Sequence, residues 1–205
     1  MKTTIIIILI MICGICFGNE VIKDIAWQDL KKSGDLNTGE VVDNTLKLEN
    51  TTDQPMTFNL LTINAPGITA PAYSLKGRIK YDNVKGNGYL EMRNHFPGGK
   101  AFFSKTLAPS GPMGVIQGSS GWRDFNIPFM VRDETGWLPD RPEKLQFNLL
   151  LSGKGTVHIS NIQLTQTAAD KETPGSWWSR KVGIKFGAYG GVSAYGGLRP
   201  DPDFY

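Results

Sequence analysis

The stretch Tyr89-Leu90-Glu91-Met92-Arg93-Asn94-His95-Phe96 decides the fold class. Leu90, Met92 and Phe96 fall on one parity, with Asn94 between them, and Tyr89, Glu91, Arg93 and His95 fall on the other. Successive side chains of a strand point to opposite faces, so this period of two marks a half-buried β-strand. The pattern recurs in Lys144–Leu151, where Leu145, Phe147, Leu149 and Leu151 would face a core and Lys144, Gln146 and Asn148 the solvent. In residues 77–81, Ile79 and Tyr81 alternate with Arg78 and Lys80. One apolar face per strand is what two packed antiparallel sheets require.

Working outward, the same kind of pattern runs from Thr45 to about residue 166, punctuated by Gly, Pro, Asn and Asp. It predicts strands near residues 45–50, 56–62, 73–81, 88–96, 102–107, 115–117, 123–129, 144–152 and 156–165. Turns are expected at 65–67, 85–88, 97–99, 118–121 and 153–155, where Gly and Pro cluster. Only residues 25–32 suit a helix, and no strand–helix–strand alternation appears. Short strands at this spacing predict an all-β fold, an antiparallel β-sandwich of jelly-roll type. It would occupy residues 19–167 and be followed by a flexible tail, 168–205. With 24 Gly and 12 Pro in 205 residues, the chain is turn-rich without being of low complexity.

Residues 1–18 are set apart. Lys2 gives a charged start, residues 5–17 are almost unbroken apolar sequence, and Gly18 supplies a small residue for cleavage. This is the layout of a secretory signal peptide, which implies export to the periplasm, cell envelope or medium; a retained N-terminal anchor is the alternative. Both cysteines, Cys13 and Cys16, fall inside this leader. The remainder therefore offers no disulfide, thiolate nucleophile or Cys-based metal site. Asn50-Thr51-Thr52 fits the glycosylation acceptor pattern. A net charge of +3, from 22 basic and 19 acidic residues, is too balanced for a nucleic-acid footprint.

Three segments resemble galactose-binding-like jelly rolls, the superfamily of CenC-type carbohydrate-binding modules. Residues 73–81 (YSLKGRIKY) look like the strand after the first sheet, and Gly121-Trp122-Arg123-Asp124-Phe125 is similar to the tryptophan segment before the next long strand. Residues 155–164 (GTVHISNIQL) resemble the closing strand, with Ser160-Asn161 where relatives often carry acids. The resemblance spans about residues 40–166. It implies a non-catalytic sandwich that often binds glycans, and the Ser160-Asn161 departure puts a structural calcium site in doubt.

Catalytic chemistry is thin. No Gly-x-Ser-x-Gly elbow accompanies the two histidines, His95 and His158. Glu91 has no evident acidic partner on its face for glycosidase work, and no third ligand joins the histidines at metal-binding spacing. The chain reads as non-enzymatic, with no cofactor and no metal. The stronger signal is a polar face of Arg78, Lys80, Tyr89, Glu91, Arg93, His95, Gln146, Asn148 and His158, expected to share one sheet. Planar polar groups beside a ring suit sugar hydroxyls and the apolar face of a sugar. Tyr89 is the expected stacking ring, Trp137 the exposed loop aromatic, and Trp122 a core or edge residue.

In the tail, residues 168–176 read as a linker, and Trp177-Trp178 stand beside Arg180 and Lys181 before a Gly/Tyr-rich run. This pairing suits peripheral contact with a membrane interface, not a span. The leading expectation is a secreted binder of carbohydrate or a cell-envelope polymer. An envelope-associated structural or protein-interaction domain is the alternative, and an unrecognised hydrolase a distant third.

Overall fold

Strands form wherever the sequence alternates, and they continue through several stretches that look like turns. The computed structural model describes residues 20–133, 136–137 and 141–167, together with 185–186, 192–193 and 199–200; side chains are described for 20–131 and 141–166. In chain order the elements are β1 (Glu20–Ile25), helix α1 (Trp27–Ser33), β2 (Glu40–Val42), β3 (Thr45–Asn50), β4 (Met56–Asn64) and β5 (Ala72–His95). Then come β6 (Ala101–Lys105), β7 (Ile116–Met130), β8 (Arg132–Asp133), β9 (Gly136–Trp137), β10 (Lys144–Leu151) and β11 (Gly155–Thr167). The short pieces β12 (Lys185–Phe186), β13 (Val192–Ser193) and β14 (Arg199–Pro200) follow.

The fold is the expected all-β antiparallel sandwich, a curled sheet folded into two layers. In the first layer β5 lies between β7 and β11, and β11 is flanked in turn by β3 and β1, with β2 outside β3. In the second layer β10 lies between β4 and β5, β6 pairs with the other side of β5, and β14 pairs with β6. The strand β5 joins the layers. Its first half, through Asp82, pairs with β11 and its second half, from Tyr89, with β10.

The sequence reading placed a turn at residues 85–88, and the structure corrects it to a bend within β5. Asn83 and Gly86 take positive φ values of 54° and 70°, a region open to Gly and tolerated by Asn. These bend the strand without reversing it, and the Lys85 N–H donates to the Lys154 carbonyl at 2.7 Å. A Cβ at Gly88 would lie 2.9 Å from both the Leu150 carbonyl oxygen and Leu151 Cδ2, so only glycine lets the two backbones close up there. The expected turn at 118–121 likewise lies inside β7, where register shifts absorb the extra residues. The strands β1 and β2 were not foreseen: Val21 and Ile22 are adjacent rather than alternating, and β2 spans only three residues.

Between the layers the core is continuous. Phe125 of β7 stacks on Phe147 of β10 with ring centroids 5.9 Å apart, and Tyr73 of β5 lies 5.3 Å from Phe129. The Tyr73 hydroxyl donates to Asn94 Oδ1 at 2.7 Å, and Asn94 Nδ2 donates to the Met92 and Phe102 carbonyls. The polar Asn94 is thereby satisfied inside the core, as burial demands. Trp27 of α1 is fully buried and belongs to the same core. Asn50 is buried too, and its Nδ2 donates to the Gln54 and Gly153 carbonyls. The amide nitrogen that glycosylation would modify is thus committed to the fold, which corrects the acceptor reading.

Residues 1–18, read above as a signal peptide, lie outside the described residues, and so does most of the expected tail, 168–205. Of the tail, β12 pairs with β13, and Arg199 and Pro200 of β14 lie opposite Phe103 and Phe102. No helix among the described residues is long and apolar enough to cross a membrane.

Candidate functional site

The expected polar face does not lie on one layer. Arg78, Lys80 and His158 stand on the outer side of the first layer, where β5 pairs with β11. Tyr89, Glu91, Arg93 and His95 stand on the outer side of the second layer, opposite Leu150, Asn148, Gln146 and Lys144 respectively. The bend in β5 separates them, because it carries the strand from one layer to the other. The alternation holds in both halves, so each residue faces outward as expected, but on different surfaces.

Four strands contribute the described side chains of the second-layer face. From β4 come Thr57, Asn59, Thr62 and Asn64, all exposed and opposite Leu150, Asn148, Gln146 and Lys144. On the far side of β5, β6 contributes Phe103 opposite Arg93 and Lys105 opposite Glu91. At the centre sits Glu91, only 5% exposed although it points away from the core. Its Oε1 accepts from Arg93 Nε at 2.7 Å and from Asn148 Nδ2 at 3.2 Å, while Lys105 Nζ lies 3.1 Å from Oε2. Burial would raise the Glu91 carboxyl, but the Arg93 hydrogen bond and the charge and hydrogen bond of Lys105 hold it below the ordinary carboxylate value. Such a group stays ionised and is a poor general acid.

His95 Nε2 lies 2.7 Å from Gln146 Oε1, so the imidazole donates there. Lys105 Nζ sits 5.0 Å from the Tyr89 ring centroid and 4.3 Å from that of Phe103, cation–π distances for both. The Tyr89 ring thus already carries a cation, and the aromatic part of the face is a pair of rings held by Lys105. Neither Phe103 nor Lys105 was identified from the sequence. The adjacent Phe102 and Phe103 give no parity that says which faces inward; the pairing does, placing Phe102 opposite the core residue Asn94.

The first-layer face differs. His158 lies between Lys47 of β3 and Lys80 of β5. Burial lowers the His158 pKa first, Lys80 and Lys47 lower it further, and Asp82 opposes them. Trp122 is 40% exposed and not a core residue, and the Arg78 guanidinium lies 5.6 Å from its ring centroid. The exposure follows from the register shift between Ile79 and Tyr81, which leaves Trp122 outside the paired positions of β7. Trp137 pairs through its backbone with Arg132, and its side chain lies outside the described residues. An open cleft of about 390 Å³ lies where Glu49, Asp82, Lys85 and Lys154 meet. Among the described residues, no group of three or more His, Cys, Asp or Glu side chains could hold a metal.

No family model matches the sequence, and no curated protein matches it. Solved structures of related layout include the CBM22-1 xylan-binding domain from Paenibacillus barcinonensis Xyn10C, 6% identical over 75% of this chain and 98% of that one, with a TM-score of 0.40. An exo-beta-agarase matches at 13% identity over 67% of this chain and 25% of its own, with a TM-score of 0.38. The family 11 carbohydrate-binding module of the Clostridium thermocellum cellulase Lic26A-Cel5E matches at 13% identity over 76% and 98%, with a TM-score of 0.29. At these TM-scores the likenesses say nothing about what this chain binds.

Proposed function

We propose that the chain is an exported, non-catalytic sandwich of the galactose-binding-like kind that holds a glycan on the outer face of its second layer. One observation carries this reading. Hydrogen-bonding side chains from β4, β10 and β5 line a sheet face, and the rings of Tyr89 and Phe103 border it on the β5–β6 side. Amide, imidazole and hydroxyl groups can both donate to and accept from sugar hydroxyls, and rings offer the apolar contact that a pyranose also needs. Held on strands rather than loops, these groups are positioned before a ligand arrives, which limits the ordering cost of binding.

The protein-interaction alternative draws on Trp122, a large exposed aromatic ring on the opposite layer with Arg78 beside it; such residues are common anchors of protein interfaces. Affinity electrophoresis of the whole chain against a panel of polysaccharides separates the two. Gln146→Ala and Tyr89→Ala should each weaken retardation about tenfold or more, as loss of an anchor does, while Trp122→Ala should not. Retardation that vanishes with Trp122→Ala and survives the other two would move the site to the first layer.

A further inference from the structure

We propose that the second-layer face selects glycans that carry carboxylates over neutral ones, a claim that rests on the glycan reading above. The charges facing the site can be counted strand by strand. The outward residues of β4 are the uncharged Thr57, Asn59, Thr62 and Asn64; β10 brings Lys144; β5 brings Glu91, Arg93 and His95; β6 brings Lys105. Among the described side chains, one carboxylate therefore stands among three permanent cations, with a histidine beside them. Glu91 receives Arg93 on one oxygen and Lys105 on the other, so its charge offsets part of theirs and leaves the face positive. It also displays how the face holds a carboxylate, with a guanidinium, an ammonium and the Asn148 amide converging on it.

Two of the cations, Lys105 and Lys144, stand at opposite ends, with Arg93 midway between them. Lys105 lies opposite Glu91 on one side of β5, whereas Lys144 lies opposite His95 on the other side, two strand spacings over and four residues along. With strands ~4.8 Å apart and residues rising ~3.3 Å each, the two backbone positions are about 16 Å apart. Arg93 itself is held by Glu91, and along β10 and β4 the positions beside it are neutral: Gln146 and Asn148, with Asn59 and Thr62 alongside. Lys144 makes no ion pair among the described residues. This layout fits a polymer with acidic groups spaced along an otherwise hydroxyl-bearing chain, and a single acidic monosaccharide could not span it. Attraction of this kind is long-ranged and screened by salt.

The test titrates the whole chain calorimetrically with oligogalacturonate and with the same oligomer after its carboxyls have been reduced to alcohols. The acidic form should bind about tenfold tighter at low ionic strength, with a few-fold contribution from each exposed cation. That advantage should shrink as salt approaches about 1 M. Lys144→Met should cut the preference several-fold, and because Lys144 holds no described ion pair the variant should fold normally. Equal binding of the two oligomers, or a preference that Lys144→Met and salt leave unchanged, overturns the proposal while the glycan reading stands. If neither oligomer nor any neutral glycan binds, the glycan reading itself fails and takes the proposal with it.

Discussion

The two outer faces share a strand, a core and a rich supply of charged residues, yet they use those charges differently. On the first layer Arg78 and Asp124 approach to 3.6 Å with side chains 46% and 83% exposed, and His158 sits between two lysines. Exposed pairs of that kind contribute little to stability, and flanking lysines oppose a charged imidazole. On the second layer Glu91, Arg93 and Lys105 close over one another until the carboxylate is nearly sealed from solvent. A polar face is therefore not by itself a site. Both faces pair opposite charges at facing positions. The difference is that Arg93, Lys105 and Asn148 all converge on Glu91 and shield it, whereas Asp124 meets Arg78 alone among the described residues and stays exposed.

The largest expected effect strikes both faces at once. Phe147 lies under the second layer and stacks on Phe125 of the first, so Phe147→Ala should cost about 3–5 kcal/mol in denaturant unfolding. If the two layers were independent units, the variant would instead show two transitions, one of them unchanged.

Next comes the contrast between the carboxylates. Glu91→Gln removes a buried charge that both Arg93 and Lys105 face, and should cost about 1–3 kcal/mol. Asp124→Asn should change stability by less than about 0.5 kcal/mol. The two also differ in acid. Because the folded state holds the Glu91 carboxyl below its ordinary value of 4.5, its contribution is present above that value and is lost as pH falls through the folded one. Glu91→Gln should flatten that part of the stability profile, and Asp124→Asn should leave it steep. Equal effects from the two variants would mean that the second-layer network is no more ordered than the first.

The smallest effect concerns His158. Its folded pKa lies below the ordinary 6.5, with burial the leading cause, so the unfolded chain takes up the proton first. Stability should be complete above about pH 6.5 and decline as pH drops toward the folded value. Thermal melts of His158→Gln should lack that decline, and melts identical to the parent's would show that the flanking lysines leave the imidazole unaffected.

Much of this was legible in the sequence. The alternation of residues 89–96 and 144–151 gave the correct inward and outward sets, because side-chain parity survives whatever the strand pairs with. Which strands pair was not legible. A bend and a turn look alike at Lys85-Gly86-Asn87-Gly88, since both need residues that tolerate positive φ, and that ambiguity merged two surfaces into one. The contribution of β6 was hidden for a different reason: Phe102 and Phe103 are equally apolar, and only the register opposite Asn94 and Arg93 assigns them. Asn50 shows the limit of a short motif, since its acceptor pattern is intact while its amide is spent on two carbonyls.

The central claim is that ligand lies on the second layer and not the first, and backbone amide chemical shifts report this most directly. On adding a bound oligosaccharide to the isotopically labelled chain, the amides of Arg93, His95, Gln146, Asn148 and Thr62 should move together and saturably. Those of Arg78, Lys80, Trp122 and His158 should stay in place. Shifts centred on Trp122 and His158, with the β10 amides unmoved, would contradict the account.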